Sequence, residues 1–490
     1  MGSNYIIKNA TVLSIDPAIG NVDNCDVTIE DGLITGVGRS LKHTDHKVID
    51  GTNSIVSPGF IDTHRHTWQH QLRTIASDYV LSDYILALRH IYGASYTPHD
   101  AYLGNLAGAL ESINNGITYL IDHSHIQNSP DHADAAVKGL QDAKIRAVFC
   151  YCMYANPAWE GSHVNKEREK NTPDWRRDDA RRIKETHFAS NKPEDVLRFG
   201  FALSEPDITP IDQLVDEIGY ARGIGAAVIT GHISFGKWDP GKRITKQLAE
   251  RGVLGRDIVL SHGNSLTDGE LDYVAKFGSG ISTTPDTELQ MGMSHPVAFK
   301  AKDKGAIASL GVDVCCSSPA DMFAQMRLLI QAQRHLEHEK GAGPPLKMSR
   351  YCSEVLEMAT MGGARAVGLE NVIGSITPGK RADILITRCD SIRLVPVHDP
   401  VGALVLYANG SDIDTVFVNG KIVKSEGKFP HIDWPKLRDE LRASTAAILE
   451  TSKKAPMEEL EAARKWMVEV LAGTRKQQRD SKGNITNISE

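Results

Sequence analysis

His64 and His66 stand one residue apart at the end of a short apolar run, Ile55 to Ile61, that a Pro-Gly pair interrupts. In extended backbone the side chains at i and i+2 share a face, so both imidazoles can aim a ring nitrogen at one point just past a strand. Neutral imidazole carries a directed lone pair at physiological pH and is the commonest metal ligand among side chains. Three further residues of suitable chemistry follow strand-like segments: His232 in Val228-Ile-Thr-Gly-His232, His262 in Val259-Leu-Ser-His262, and Asp313 in Leu310-Gly-Val-Asp313. Alone, each reads as well as a hydrogen-bonding residue or a turn former. Together the five read as a metal centre. A metal ion brings the pKa of its water from about 15.7 to about 7, which supplies a nucleophile for an sp² carbon near neutral pH.

The elements that must position these residues follow from the pattern. Residues 4 to 56 hold short strand-like pieces (Tyr5 to Ile7, Thr11 to Ile15, Asp26 to Ile29, Leu33 to Val37) split by Asp-Gly and Gly turns, which predicts hairpins. From Ile55 the rhythm becomes strand, helix, strand. After the first strand come Ile117 to Asp122, Arg146 to Tyr151, Leu197 to Leu203, Ala226 to Thr230, Ile258 to Ser261, Gly280 to Thr284 and Ile307 to Val314. Helical spacing lies between them, as in Asp100 to Asn114 and Ile211 to Tyr220. Eight βα units predict an α/β protein built on a (β/α)8 barrel, whose active site gathers at the C-terminal strand ends.

Hairpin character returns at Ile384 to Thr387 and at Thr415 to Val423, which carries an Asn-Gly turn. The expected organisation is a small β-sandwich domain from residues 1–57 and 376–428, the barrel over 58–375, a C-terminal helical extension over 429–478 in which Trp434 to Gln478 reads as one amphipathic helix, and a polar tail at 479–490. The charged insertion Lys166 to Lys184 is expected to be a solvated helix or lid.

A formal charge of -7, with 41% hydrophobic and 24% charged residues, excludes a basic nucleic-acid surface and fits an ordinary globular protein. The chain shows no apolar stretch long enough to cross a bilayer and no basic-then-apolar opening. Seven cysteines, two of them adjacent at 315 and 316, suit free thiols in a reducing compartment. Cytoplasmic location, a small-molecule substrate and a homo-oligomer (dimer or tetramer) are the expectations.

The sequence resembles the amidohydrolase superfamily, in its cytosine deaminase and triazine hydrolase branch. The likeness runs to about residue 428 and is carried by Pro58-Gly-Phe-Ile-Asp-Thr-His64-Arg-His66, Gly116-Ile-Thr, His232, Ser261-His262-Gly-Asn, Pro285-Asp-Thr-Glu288-Leu-Gln-Met-Gly and Gly311-Val-Asp313. Outside the barrel it is carried by Ile373-Gly-Ser-Ile-Thr-Pro-Gly-Lys-Arg-Ala-Asp383-Ile and Val416-Phe-Val-Asn-Gly-Lys421. The resemblance implies one divalent metal per chain, zinc or else iron, on His64, His66, His232 and Asp313. It also implies that His262 polarises the substrate or orients the water, and that Asp313 takes the proton. Phe199-Gly-Phe-Ala-Leu-Ser-Glu205-Pro offers no lysine of the kind that joins two metals in binuclear relatives.

The chain departs from the branch at Phe235, where relatives carry the glutamate that shuttles the proton. Glu288 is the first candidate to replace it, because a carboxyl buried beside a metal site has its pKa raised toward that of a useful acid. Glu205 is the second. His123 and His125, which repeat the alternating spacing, are expected to touch substrate, shuttle protons or hold a second metal. Trp68 joins His123, His125 and Glu205 as an expected substrate contact. The reading that results is hydrolysis of a C–N bond, by deamination or amide cleavage, in a small cyclic or aromatic molecule. A metal-dependent lyase or isomerase is the alternative that Phe235 leaves open, and a non-catalytic scaffold is the third.

Overall fold

The computed structural model describes residues 4–166 and 174–477. The chain opens with β1 (Tyr5–Leu13), β2 (Asn21–Glu30), β3 (Leu33–Gly38), β4 (Lys47–Asp50) and β5 (Ser54–Pro58). The barrel follows as β6 (Phe60–Arg65), β7 (Ile117–Ser124), β8 (Arg146–Cys152), β9 (Leu197–Ala202), β10 (Ile229–Ile233), β11 (Ile258–His262), β12 (Gly280–Thr283) and β13 (Ile307–Leu310). These eight strands pair in chain order, all parallel. Beyond β13 the ring closes on itself: Asp313 N donates to His64 O (2.8 Å) and His66 N to Asp313 O (2.9 Å). The barrel seam therefore runs through three of the expected ligands.

The run Ile55 to Ile61 is two strands where one was expected. β5 pairs with β1 and with β14 (Ile384–Arg388), whereas β6 pairs with β7. Gly59 makes the switch. A Cβ there would stand 2.0 Å from Thr118 Oγ1, so only glycine lets the chain pass from one sheet to the other this close to β7.

β14, β15 (Ile413–Val418) and β16 (Lys421–Lys424) complete the second sheet, in the order β16-β15-β14-β5-β1-β2-β3, with β4 also on β1. The sandwich is thus one connected mixed sheet. Register shifts between Ile7 and Ala10 and between Ala10 and Val12 bend β1. The sheet curls around a core of its own, in which Ile7, Val27, Ile29, Val56, Ile384, Ile386 and Phe417 are fully buried. The predicted turn at Asn419-Gly420 joins β15 to β16 with both residues at positive φ (51° and 72°), as a two-residue hairpin requires.

Two helical expectations change. Trp434 to Gln478 is not one helix but two, Trp434–Ser452 and Met457–Gln477, because Pro456 can begin a helix but not continue one. Residue 478 and the polar tail lie outside the described residues. The first of these helices buries Leu437, Leu441 and Ile448, and Gln71 Nε2 donates to Ser444 Oγ (3.1 Å) beside the loop that follows His66. In the insertion, residues 167–173 lie outside the described residues. Residues 174–184 belong to a helix, Asp174–His187, that buries Arg176, Ala180 and Ile183 and so is docked rather than fully solvated. No helix among the described residues is long and apolar enough to cross a membrane.

Candidate metal centre

Five side chains from four strand ends meet at the C-terminal face of the barrel. Oδ1 of Asp313 lies 3.4 Å from Nε2 of both His64 and His66. Donor atoms of His64, His66 and Asp313 lie within 4.8 Å of one another, as do those of His64, His232 and His262. Backbone geometry is specialised here. His262 (φ 75°) and Asp313 (φ 68°) both occupy the left-handed region, which L-residues enter at a cost and which clusters at functional sites. Gly311 keeps the β13 extension against β6: a Cβ on it would stand 2.9 Å from the Cβ, N and O of His64.

Each imidazole is held through its Nδ1. His66 Nδ1 donates to the His123 carbonyl (2.8 Å), His232 Nδ1 faces the Glu205 carboxylate (3.1 and 3.2 Å), and His64 Nδ1 pairs with Ser261 Oγ (2.9 Å). A proton on Nδ1 leaves a lone pair on Nε2. The Nε2 atoms of His66 and His232 nevertheless face each other at 3.2 Å, and His64 Nε2 is buried without a hydrogen-bond partner. Lone pairs this close repel unless a cation lies between them. The donor set therefore fits a metal ion.

The electrostatics agree. Burial pulls His64 down to about 4 against the opposing pull of Asp313, and burial holds His66 well below its usual value. Both imidazoles are neutral at pH 7. Burial opposes ionisation of Asp313 too, but the close approach of His64 Nε2 and the surrounding imidazoles outweigh it and hold the carboxyl below the usual range. In the same way, the hydrogen-bonded His232 ring and then the Arg89 guanidinium overcome burial and hold Glu205 down at about 2. A carboxylate that acidic backs its histidine and does not carry protons at neutral pH. Glu205→Ala is expected to weaken metal affinity about 10- to 100-fold. A chelator-competition titration on folded protein measures it, and an unchanged affinity would remove Glu205 from the centre.

The other expected residues lie around this core. Glu288 is fully buried and accepts from Thr284 N (2.8 Å) and Asn264 Nδ2 (3.0 Å). Its Oε1 stands 3.4 Å from His262 Nδ1, so it reaches the centre through His262. Burial lowers His262, but the Glu288 hydrogen bond and the charges of Asp313 and Glu288 raise its pKa on balance. Trp68 is fully buried; its Nε1 donates to His125 Nδ1 (3.1 Å), so it supports that imidazole from behind. His123 stacks on His232 at 4.2 Å and the His125 ring lies tilted against His66 at 4.1 Å, yet neither joins any group of three metal donors among the described residues. Phe235 lies 6.0 Å from the His232 ring and 5.4 Å from the His262 ring, an apolar plate at the position where the chain departs from the branch it resembles. Met291 and Met293 are buried nearby.

Arg89 and its supports Tyr154 and Asn156 were not singled out in the sequence. A signal existed: a single arginine inside the apolar run Ile85-Leu-Ala-Leu-Arg89-His-Ile-Tyr92, wound as a π-helical segment, a form frequent at functional sites. A third donor group, His70, Glu111 and Cys315, is an ion-pair node. Arg65 and Arg73 both engage Glu111, and burial pushes the Cys315 thiol up to about 11.

Residues 55–215 and 222–423 match the Amidohydrolase family. The chain is 28% identical over 453 residues to a 5'-deoxyadenosine deaminase of Methanosarcina barkeri, covering 91% of this chain and 99% of that protein. It is also 28% identical over 446 residues to a 5-methylthioadenosine/S-adenosylhomocysteine deaminase of Pyrococcus furiosus, covering 89% and 98%. The fold matches an adenosine deaminase from Xanthomonas campestris with bound zinc (TM-score 0.80, 19% identity, 91% and 99% covered). It also matches an atrazine chlorohydrolase from Arthrobacter aurescens complexed with zinc (TM-score 0.75, 20% identity, 90% and 100% covered). With the histidine and aspartate set in place at the strand ends, the chain belongs to the amidohydrolase family, as a metal-dependent hydrolase acting on carbon–nitrogen bonds.

Proposed function

We propose that the protein deaminates a small heteroaromatic amine, with one zinc ion per chain held by His64, His66, His232 and Asp313. The observation that carries this is the 3.2 Å approach of two imidazole Nε2 atoms whose Nδ1 atoms are tied to acceptors. When bound, the metal supplies an activated water as the nucleophile. Asp313, ionised at neutral pH, accepts the proton of that water. His262, backed by Glu288, holds a proton beside the amino group that leaves as ammonia. Phe235 gives the heteroaromatic ring an apolar face to lie on. The near-complete burial of the imidazoles strengthens each of these interactions by keeping bulk water out.

The named activities of the relatives put 6-aminopurine nucleosides first among the amines to test. Hydrolysis, rather than the lyase or isomerase alternative, is what those relatives favour. The same reading has the enzyme in the cytoplasm, supported by its free cysteines. It works as a homo-oligomer, supported by the exposed Trp434 and Trp466 on the C-terminal helices. The test is ammonia release by zinc-loaded protein from 5'-deoxyadenosine, 5'-methylthioadenosine and a panel of other heteroaromatic amines. Ammonia from at least one of these amines is the expected result. Turnover of other amines alone would discard the nucleoside, and no ammonia from any of them would discard deamination.

A further inference from the structure

Arg89 is 7% exposed and sits on the π-helical segment Ile85–Tyr92. Its Nε donates to Asn156 Oδ1 (3.3 Å), and its guanidinium lies over the Tyr154 ring, 4.2 Å from the centroid. Asn156 is itself pinned, its amide donating to the His125 carbonyl (3.2 Å) and to Asn128 Oδ1 (2.9 Å). The arginine is therefore held rigidly at its neck and on one face.

Its far end is short of partners. A guanidinium offers five N–H donors, and the bond to Asn156 is the one it makes among the described residues. The facing carboxylate oxygen, Glu205 Oε1, stands 3.8 Å away, beyond hydrogen-bonding length, and is engaged by His232. Two imidazoles flank the same region with spare capacity. His125 Nε2 and both ring nitrogens of His123 are buried without a hydrogen-bond partner. Their rings lie 5.9 and 6.3 Å from the Tyr154 ring. Buried polar atoms left without partners cost free energy, and these imidazole nitrogens cluster beside His66, against which the His125 ring is tilted. What would satisfy all of them is one acceptor-rich, negatively charged group close to the reacting carbon.

We infer that Arg89, flanked by His125 and His123, forms a subsite for a carboxylate carried on the ring of the substrate. The planar fork of arginine matches the two oxygens of a carboxylate, and a neutral imidazole can donate one further hydrogen bond. The subsite narrows the substrate class from heteroaromatic amines in general to ring-borne aminocarboxylates. It rests on the deaminase reading for the reaction, but its binding can be measured apart from turnover.

The experiment compares benzoate with benzamide, matched in shape and differing in charge, by calorimetric titration of the zinc-loaded protein. Wild type is expected to bind benzoate more tightly. Arg89→Met is expected to weaken benzoate about tenfold or more while leaving benzamide unchanged, and Arg89→Lys to recover part of the loss. Zinc content and melting temperature confirm that each variant is folded. Should Arg89→Met fail to fold, Arg89→Lys serves instead, with a smaller weakening confined to benzoate. Equal affinity for the two ligands in wild type, no benzoate binding at all, or benzoate binding indifferent to the change at Arg89 would overturn the subsite. Failure of deamination would appear only in the ammonia assay.

Discussion

Asp313→Asn is expected to lower kcat by at least the 10² to 10⁴-fold that a positioned base contributes, while the protein stays folded and keeps most of its metal. The change removes a charge and leaves shape nearly intact. Asp313 sits at φ 68°, and asparagine is among the residues that tolerate this region best, so the backbone bonds that close the barrel, Asp313 N to His64 O and His66 N to Asp313 O, have no reason to break. Three imidazoles still converge on the ion. What is lost is an acceptor that stays ionised at neutral pH because His64 and its neighbours outweigh the effect of burial. Turnover, zinc content and melting temperature measured together separate the possible roles. Lost turnover with metal retained marks Asp313 as the proton acceptor. Lost turnover with lost metal marks it as a ligand first, and full activity would remove it from the chemistry.

The sequence made this centre legible because strand-end positions are local facts. A histidine two residues from another on an extended segment, or an aspartate after Gly-Val at the end of an apolar run, keeps its meaning whichever helices lie between. His64, His66, His232, His262 and Asp313 meet for that reason. The supporting roles were less legible, because they depend on which loops touch. Glu288 reads as a free acid in sequence, yet in the fold it is engaged by Thr284, Asn264 and His262. Glu205 turns toward His232. Arg89 acquires its role from Tyr154 and Asn156, which follow β8 and have no fixed spacing to it. The same limit applied to the fold. Alternation and turns located the strands, but Ile55 to Ile61 read as one strand, because nothing in the run itself tells that a Cβ on residue 59 would stand 2.0 Å from the Thr118 hydroxyl oxygen. The C-terminal helices read as one because each half carries its own apolar stripe and Pro456 can lie at a helix start.

The second large effect is expected at the opposite end of the barrel, where Asp383→Asn should destabilise the protein by about 3 to 5 kcal/mol without changing kcat/KM. Arg146, the first residue of β8, is fully buried, and its guanidinium forks onto Asp383 (Nε to Oδ2 2.7 Å, Nη2 to Oδ1 3.3 Å). Asp383 Oδ1 also accepts from Asn419 N (2.6 Å) in the β15–β16 turn, and the Asp383 carbonyl accepts from Gly59 N (2.9 Å). One carboxylate thus ties the barrel to the curled sheet, which accounts for the Gly-Lys-Arg-Ala-Asp383 signature lying so far in sequence from the metal ligands. Asparagine keeps the size and one acceptor but leaves Arg146 as a buried cation with no counter-charge, and that uncompensated charge sets the penalty. The paired replacement Arg146→Met with Asp383→Leu removes both charges and is expected to recover most of the loss, since exchanging a buried ion pair for apolar side chains of similar volume is often near neutral. Urea denaturation of the three proteins reads the outcome. A midpoint unchanged by Asp383→Asn would mean that water or the carbonyls of Glu194 and Asp195, which already accept from Arg146 Nη1, are enough to hold the charge. A double variant as unstable as the single one would place the cost in lost packing at the joint, with charge a minor part.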